Sequence, residues 1–383
     1  MSALEGVRVV ELVDESAEYC GRLLAGLGAD VIKVEPVDGA ASRHIGPFVD
    51  DEPDNERSLQ FWHYNVGKRS AVLATDEIAW LLRGADVLVH TLRPAESADA
   101  RLDFATLAAA NPRLVVCAVT PFGQDGPWSD YVADDLVLMA LGGSMAACGY
   151  APNRDGSYDT PPLACYGDQA WHTASTYAAV AILGALAWRH ESGRGQLIDV
   201  SAHECSASMT EWHLMNYLCT GTPYRRGAGA LSVSTQDGRE VTALMPDFLG
   251  PHIFTNLLRI LEADGVAGPL SEPEYADPGH RMRNYREIGK ALRRLGEQHD
   301  AEELFRMGQQ AGLPWGAIRA PEETLDDRHL QARGHFVELE RPDGAGTVTH
   351  CGAPFVAHGS PFAFGRRPPR LGEHTAEVVA ELG

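Results

Sequence analysis

The first forty residues constrain the fold most. They read as a strand over Val7–Leu12, a helix over Tyr19–Leu27 and a second strand over Asp30–Glu35, with Gly28 closing the helix where the chain needs a positive φ. Both strands carry continuous rather than alternating apolar runs, which suits strands covered on both faces. Strand, helix and strand make a βαβ opening, and parallel sheets of this kind bind ligands beyond the carboxyl ends of their strands. The loops Val13–Glu18 and Pro36–Arg43 are therefore the first places to look for a site. The first of them holds Asp14-Glu15-Ser16-Ala17-Glu18 instead of G-x-G-x-x-G, and its carboxylates would repel a pyrophosphate. That argues against a plain NAD enzyme.

The alternation continues downstream. Strands are predicted at Ser70–Leu73, Val87–His90, Leu114–Val119 and Leu197–Val200, and helices at Ile78–Arg83, Phe104–Ala109 and, much longer, Ala170–Arg189. Short apolar runs separated by helices predict an α/β class with a doubly wound parallel sheet. Gly149–Pro162 reads as a loop from its Asn, Asp, Gly, Ser and Pro content. Beyond residue 215 the texture shifts to mixed helices, notably Phe254–Leu261 and Ile288–Leu295, which predicts a smaller domain over 216–329 between a large domain at 1–215 and its return at 330–383.

A formal net charge of −21 opposes attraction to nucleic acid or to an anionic membrane surface. No apolar run is long enough to span a bilayer, and the start lacks the charged and apolar regions of a signal peptide. The seven cysteines are scattered and never paired as C-x-x-C, so they read as small core residues in a reducing cytoplasm. His203-Glu204 has no second histidine at zinc-site spacing, and no metal is expected. Gly143-Ser144-Met145-Ala146 lacks the glycine of a nucleophile elbow. Trp62, Trp171, Trp188 and Trp212 read as core or interface aromatics.

Several stretches in order resemble the class III CoA-transferase family, which includes formyl-CoA transferases and α-methylacyl-CoA racemases. They are Leu27-Gly28-Ala29-Asp30-Val31-Ile32-Lys33-Val34-Glu35-Pro36, Lys68-Arg69-Ser70, Asn111-Pro112-Arg113-Leu114-Val115, Phe122-Gly123-Gln124-Asp125-Gly126-Pro127, Ser192-Gly193-Arg194-Gly195-Gln196 and Leu371-Gly372-Glu373-His374-Thr375. The resemblance implies a Rossmann-like large domain built from both chain ends, a smaller α+β domain, and a homodimer of interlocked rings. It implies CoA as part of an acyl-CoA substrate, a small carboxylic acid as acceptor, and an aspartate that forms first a mixed anhydride and then an aspartyl-CoA thioester.

The aspartate before the long helix is Asp168, although the family register counted back from Tyr177-Ala178-Ala179 falls on Trp171. A carboxylate there is favoured in its charged form by free helix N–H groups, and nucleophile and helix cap are both open roles for it. His172, one turn on, is a second catalytic candidate of the kind a racemase would use; an interior histidine is the alternative. The racemases carry Gly-His-Asp where this chain has Ala133-Asp134-Asp135. For CoA contacts the resemblance points to Ser16, Leu73, Thr91, Leu92, Arg93 and Arg101, with Thr91 in place of the usual amide and Gly227-Ala228-Gly229-Ala230 as a possible counterpart of a covering glycine segment. These departures keep a noncatalytic subunit and an acyl-CoA isomerase open as alternatives to CoA transfer.

Overall fold

Strand β1 (Arg8–Leu12) puts Val9 and Val10 fully out of solvent on opposite faces of a six-stranded sheet in a computed structural model of the chain. The structure describes residues 2–153, 155–226, 230–244 and 251–381. The other strands are β2 (Asp30–Val34), β3 (Arg69–Ala71), β4 (Val87–His90), β5 (Val115–Thr120) and β6 (Leu197–Ser201). Their order is β3-β2-β1-β4-β5-β6 and every neighbouring pair is parallel. The sheet is doubly wound, with its topological switch point between β1 and β4.

Helices cover both faces, which explains the unbroken apolar strands. On one face Val9, Val31, Val89 and Cys117 pack with side chains of α1 (Glu18–Gly26), such as Leu24, and with Ala174, Ala178 and Ile182 from a later long helix. On the other, Val10, Ile32, Leu88 and Val116 meet Leu81 and Leu82 of α3 (Thr75–Arg83) and Leu107 of α5 (Phe104–Ala110). Between these lie α2 (Leu59–Asn65) and α4 (Pro94–Asp99). Then follow α6 (Asp135–Leu141), α7 (Ser144–Ala147), the 24-residue α8 (Gln169–Ser192), α9 (Ala202–Ser208) and α10 (Glu211–Thr220). Helix α8 outlasts the predicted Arg189 by three residues and stops at Gly193, whose φ of 72° fits a left-handed cap.

Ion pairs run beneath the β1 end of the sheet. Lys68 Nζ donates to both oxygens of Glu11, at 2.9 and 2.7 Å, to the Glu18 carbonyl and to Asn65 Oδ1. Lys33 Nζ reaches Glu18 Oε1 at 2.8 Å and the Val13 carbonyl at 3.2 Å. Both pairs are fully buried, so each charge depends on its partner to offset desolvation. Of the carboxylates in the first loop, Glu18 is thus committed inward, and only Asp14 and Glu15 are exposed.

Two compact units divide the chain. The first holds residues 1–149, 160–224 and 328–383, and the second 150–159 and 225–327. The second unit contains the antiparallel sheet of β7 (Ala230–Ser234), β8 (Glu240–Leu244) and β9 (Gly316–Ala317), with α11 (Pro251–Ala263), α12 (Pro278–Arg283), α13 (Tyr285–Gly296) and α14 (Ala301–Gln310). Its core includes Phe254, Leu257, Ile288, Leu292 and Trp315. On its return to the first unit the chain forms α15 (Arg328–Ala332), the hairpin β10 (Phe336–Glu340) and β11 (Thr347–Cys351), and α16 (Thr375–Ala380), whose Val378 completes the second face of the large sheet.

Not every apolar residue is covered. Along α8, Tyr177, Val180, Leu183 and Trp188 are exposed; on α10 no side chain is buried, and Trp212 and Leu218 stand 77% and 67% open. Trp62 and Trp171 are core residues, unlike Trp188 and Trp212. Cys20, Cys117 and Cys205 are buried, whereas Cys165, Cys219 and Cys351 are exposed, so the core reading holds for only some of the thiols. Among the described residues no helix is long and apolar enough to cross a membrane.

Candidate active site

The loops after β1 and β4 meet at the switch point. The Asp14 amide donates to Thr91 Oγ1 at 3.1 Å, and the Thr91 amide to the Leu12 carbonyl at 3.3 Å, so the two strand ends form one rim. A cavity of about 550 Å³ opens there, walled by Asp14, Glu15, Ser16, Thr91 and Arg93 from these loops and by Asp134, Asp135, Asp168 and Trp171 from the starts of α6 and α8. Its guanidinium is partly spoken for: Arg93 binds Glu96 at 2.6 Å and the Asp130 carbonyl at 3.0 Å. Burial pushes the Glu15 carboxyl up, and the neighbouring Asp14 and Glu18 charges add to that.

Asp168 occupies the N-cap position of α8 but does not cap it with its side chain. Its φ of 54° is left-handed, following Gly167 at 92°, and this turn points the chain into the helix at some conformational cost. The helix donors are taken by Asp135, whose Oδ1 accepts from the Ala170 amide at 2.7 Å and the Trp171 amide at 3.4 Å. The free N–H groups that sequence alone assigns to Asp168 thus go to another carboxylate. Burial is the main cause that raises the Asp135 carboxyl; the two amides pull against it. Asp168 itself lines both the switch-point cavity and an adjoining recess of about 610 Å³ that also holds Gln60, His63 and Tyr64.

His172 lies one turn into α8, half-buried, with Nε2 2.7 Å from Tyr64 Oη and its ring 4.6 Å from that of Tyr19. Burial lowers its pKa, against the raising effect of Asp168. Burial also pushes Tyr64 up to about 12, helped by Asp168, so the phenol keeps its proton at neutral pH. Behind them Arg22, only 6% exposed, donates to the Cys351 carbonyl at 3.0 Å and lies 3.4 Å from His63 Nε2. A guanidinium has no lone pair to offer, so His63 accepts with Nε2 and carries its proton on Nδ1.

The structure brings Asp168, Ser16, Thr91 and Arg93 to one cavity and sets His172 beside it. Leu73 instead packs with the core on the β3 side, Leu92 gives its carbonyl to Gln124 Nε2 at 3.1 Å, and Arg101 is an exposed left-handed residue just after α4. None of these three is in the cavity wall. Residues 227–229 of the glycine-rich segment lie outside the described residues. Among the described residues no cluster of three or more His, Cys, Asp or Glu could hold a metal ion. Tyr64, Asp135 and Arg22 escape a reading of the sequence. Tyr64 sits in an ordinary amphipathic run, 108 positions from its partner His172, and Asp135 caps a helix that starts 34 residues later.

A doubly wound sheet with a cavity at its switch point, bordered by the Asp168 carboxylate at a helix start, is an α/β fold with a candidate ligand site at the strand ends. A sequence model of CoA-transferase family III matches residues 4–375, and the chain belongs to that family. It is similar to the succinyl-CoA:(R)-benzylsuccinate CoA-transferase subunit BbsE of Thauera aromatica, with 31% identity over 98% of this chain and 93% of that one. It is 32% identical to the succinate–glutarate CoA-transferase of Agrobacterium fabrum, over 99% and 95% of the two chains. Among solved structures, a CaiB/BaiF family protein from Brucella suis superposes with a TM-score of 0.85 at 27% identity over 100% of both chains. The chain is accordingly a class III CoA-transferase acting on CoA thioesters.

Proposed function

We propose that the enzyme moves CoA from an acyl-CoA donor to a carboxylic acid acceptor with Asp168 as the nucleophile. The observation that carries this is the uncommitted Asp168 carboxylate: Asp135 satisfies the helix start, and Asp168 borders both recesses. Its attack on the donor thioester forms a mixed anhydride and releases CoA thiolate. The thiolate attacks the aspartyl carbonyl, expels the donor acid and leaves an aspartyl-CoA thioester. The acceptor carboxylate attacks that thioester, and the released thiolate then takes the acceptor's acyl group and frees Asp168. One difficult exchange becomes four acyl transfers with no net consumption of water.

Ser16, Thr91 and Arg93 at the strand ends are the groups we assign to CoA, with Arg93 able to fork onto phosphate oxygens if it exchanges Glu96. Two relatives carry succinyl-CoA or succinate in their names, so succinyl-CoA is the first donor to try. We further propose a homodimer formed over the open apolar faces of α8 and α10. The free thiols support a reducing, cytoplasmic setting.

The test is incubation with succinyl-CoA and a panel of carboxylic acids, trapping with hydroxylamine and peptide mass spectrometry. The expected result is a hydroxamate on the Asp168 peptide and loss of transfer in Asp168→Ala. Full transfer by Asp168→Ala would reject the assignment. One relative is named as a subunit, which favours a second reading in which this chain works beside a different one. Turnover by the pure chain excludes that reading.

A further inference from the structure

Nucleophilic attack by Asp168 moves negative charge onto the thioester carbonyl oxygen, in surroundings that already hold the carboxylates of Asp134 and Asp135. Such an oxyanion needs a fixed donor that brings no negative charge of its own. The recess beside Asp168 is lined by two hydroxyl-bearing side chains, Tyr64 and Tyr166. Tyr166 is fully exposed. Tyr64 is half-buried, bonded at 2.7 Å to His172 Nε2, and packed edge-on against Tyr19 and His63 at ring separations of 6.3 and 4.8 Å.

We propose that Tyr64 is a catalytic hydrogen-bond donor to the thioester oxygen during attack by Asp168, and that His172 is its positioning residue. The proposal rests on the reading of Asp168 as nucleophile and adds the group that receives the displaced charge. In its Nε2–H tautomer His172 donates to Tyr64 Oη across 2.7 Å, which leaves the phenolic proton free to point into the recess. Burial favours the neutral imidazole and the protonated phenol at neutral pH. Arg22 adds a favourable field. Its partners among the described residues are a carbonyl, an imidazole and the faces of Tyr19 and Phe364, with no carboxylate in direct contact to offset its positive charge. Its charge acts on the Tyr64 phenol in the direction that favours negative charge there.

The experiment is single-turnover acylation by succinyl-CoA, followed by hydroxylamine trapping, in wild type, Tyr64→Phe, His172→Phe and the double variant, with thermal melting of each. Tyr64→Phe keeps the ring and its packing. It is expected to slow acylation by about 10²-fold, the usual cost of one oxyanion donor, with little change in KM. His172→Phe is expected to cost less alone and nothing further in the Tyr64→Phe background, because it acts through the hydroxyl. A Tyr64→Phe rate within about twofold of wild type, far below the usual cost of a lost donor, overturns the proposal. Additive losses in the double variant overturn the positioning role of His172. Failure of the underlying reading looks different: an active Asp168→Ala rejects the nucleophile whatever Tyr64→Phe does, whereas an inactive Asp168→Ala beside a full-rate Tyr64→Phe rejects Tyr64 alone.

Discussion

His63 shows how much chemistry one side chain can take from its surroundings. It accepts from Arg22 at 3.4 Å, stacks on His350 at 5.3 Å between ring centres, and is pushed from its ordinary 6.5 down to about 3, by burial first and then by the charges of Arg22, His350 and His172. A folded-state pKa below the unfolded one means the unfolded chain binds the extra proton. The stability involved is fully present above about 6.5 and is lost as the pH falls from there toward about 3. Melting temperature should therefore drop across that window, and His63→Gln, which keeps an acceptor for Arg22 but cannot titrate, should drop less steeply. Parallel melting curves for the two proteins would show that His63 does not drive the loss. Such residues are poorly legible in sequence. Asp168 could be picked out because it is the aspartate before a recognisable long helix, but nothing local to His63-Tyr64 or Arg22 signals partners hundreds of positions away, such as Cys351.

At the scale of the element, the start of α8 separates two carboxylates that sequence cannot distinguish. Asp135 does the capping from another helix, and Asp168 holds the cap position in a left-handed conformation without a capping bond. Asp135→Ala should cost about 1 kcal/mol or somewhat more, the usual loss for a removed cap. Asp168→Gly should be neutral or slightly stabilising, since glycine adopts positive φ without strain, while CoA transfer disappears. Chemical denaturation of the two variants checks this, and the reverse order of stabilities would mean that Asp168 is the cap after all. The existence and approximate ends of the helix are written in its alanine-rich run and in Gly193; the source of its cap is not, because a cap supplied in trans leaves no mark within four residues of the helix start.

For the molecule as a whole, the uncovered apolar side chains are the leading observation. An α10 with no buried side chain and an α8 showing Tyr177, Leu183 and Trp188 to solvent would be poor design in a monomer. The purified protein should sediment at twice the chain mass, and Trp212→Glu with Leu218→Glu should yield monomer or aggregate. A wild-type monomer at micromolar concentration would refute the homodimer. Continuous apolar strands, glycine stops and the order of strands and helices determined the α/β class by themselves, because burial on both sheet faces and the left-handed turn each demand particular residues close together in sequence. Which carboxylate caps a helix, which phenol meets which imidazole, and which buried cation has no carboxylate partner among the described residues were decided only by the tertiary structure. Those are pairings across long chain separations, and their energetics depend on burial that no local pattern encodes.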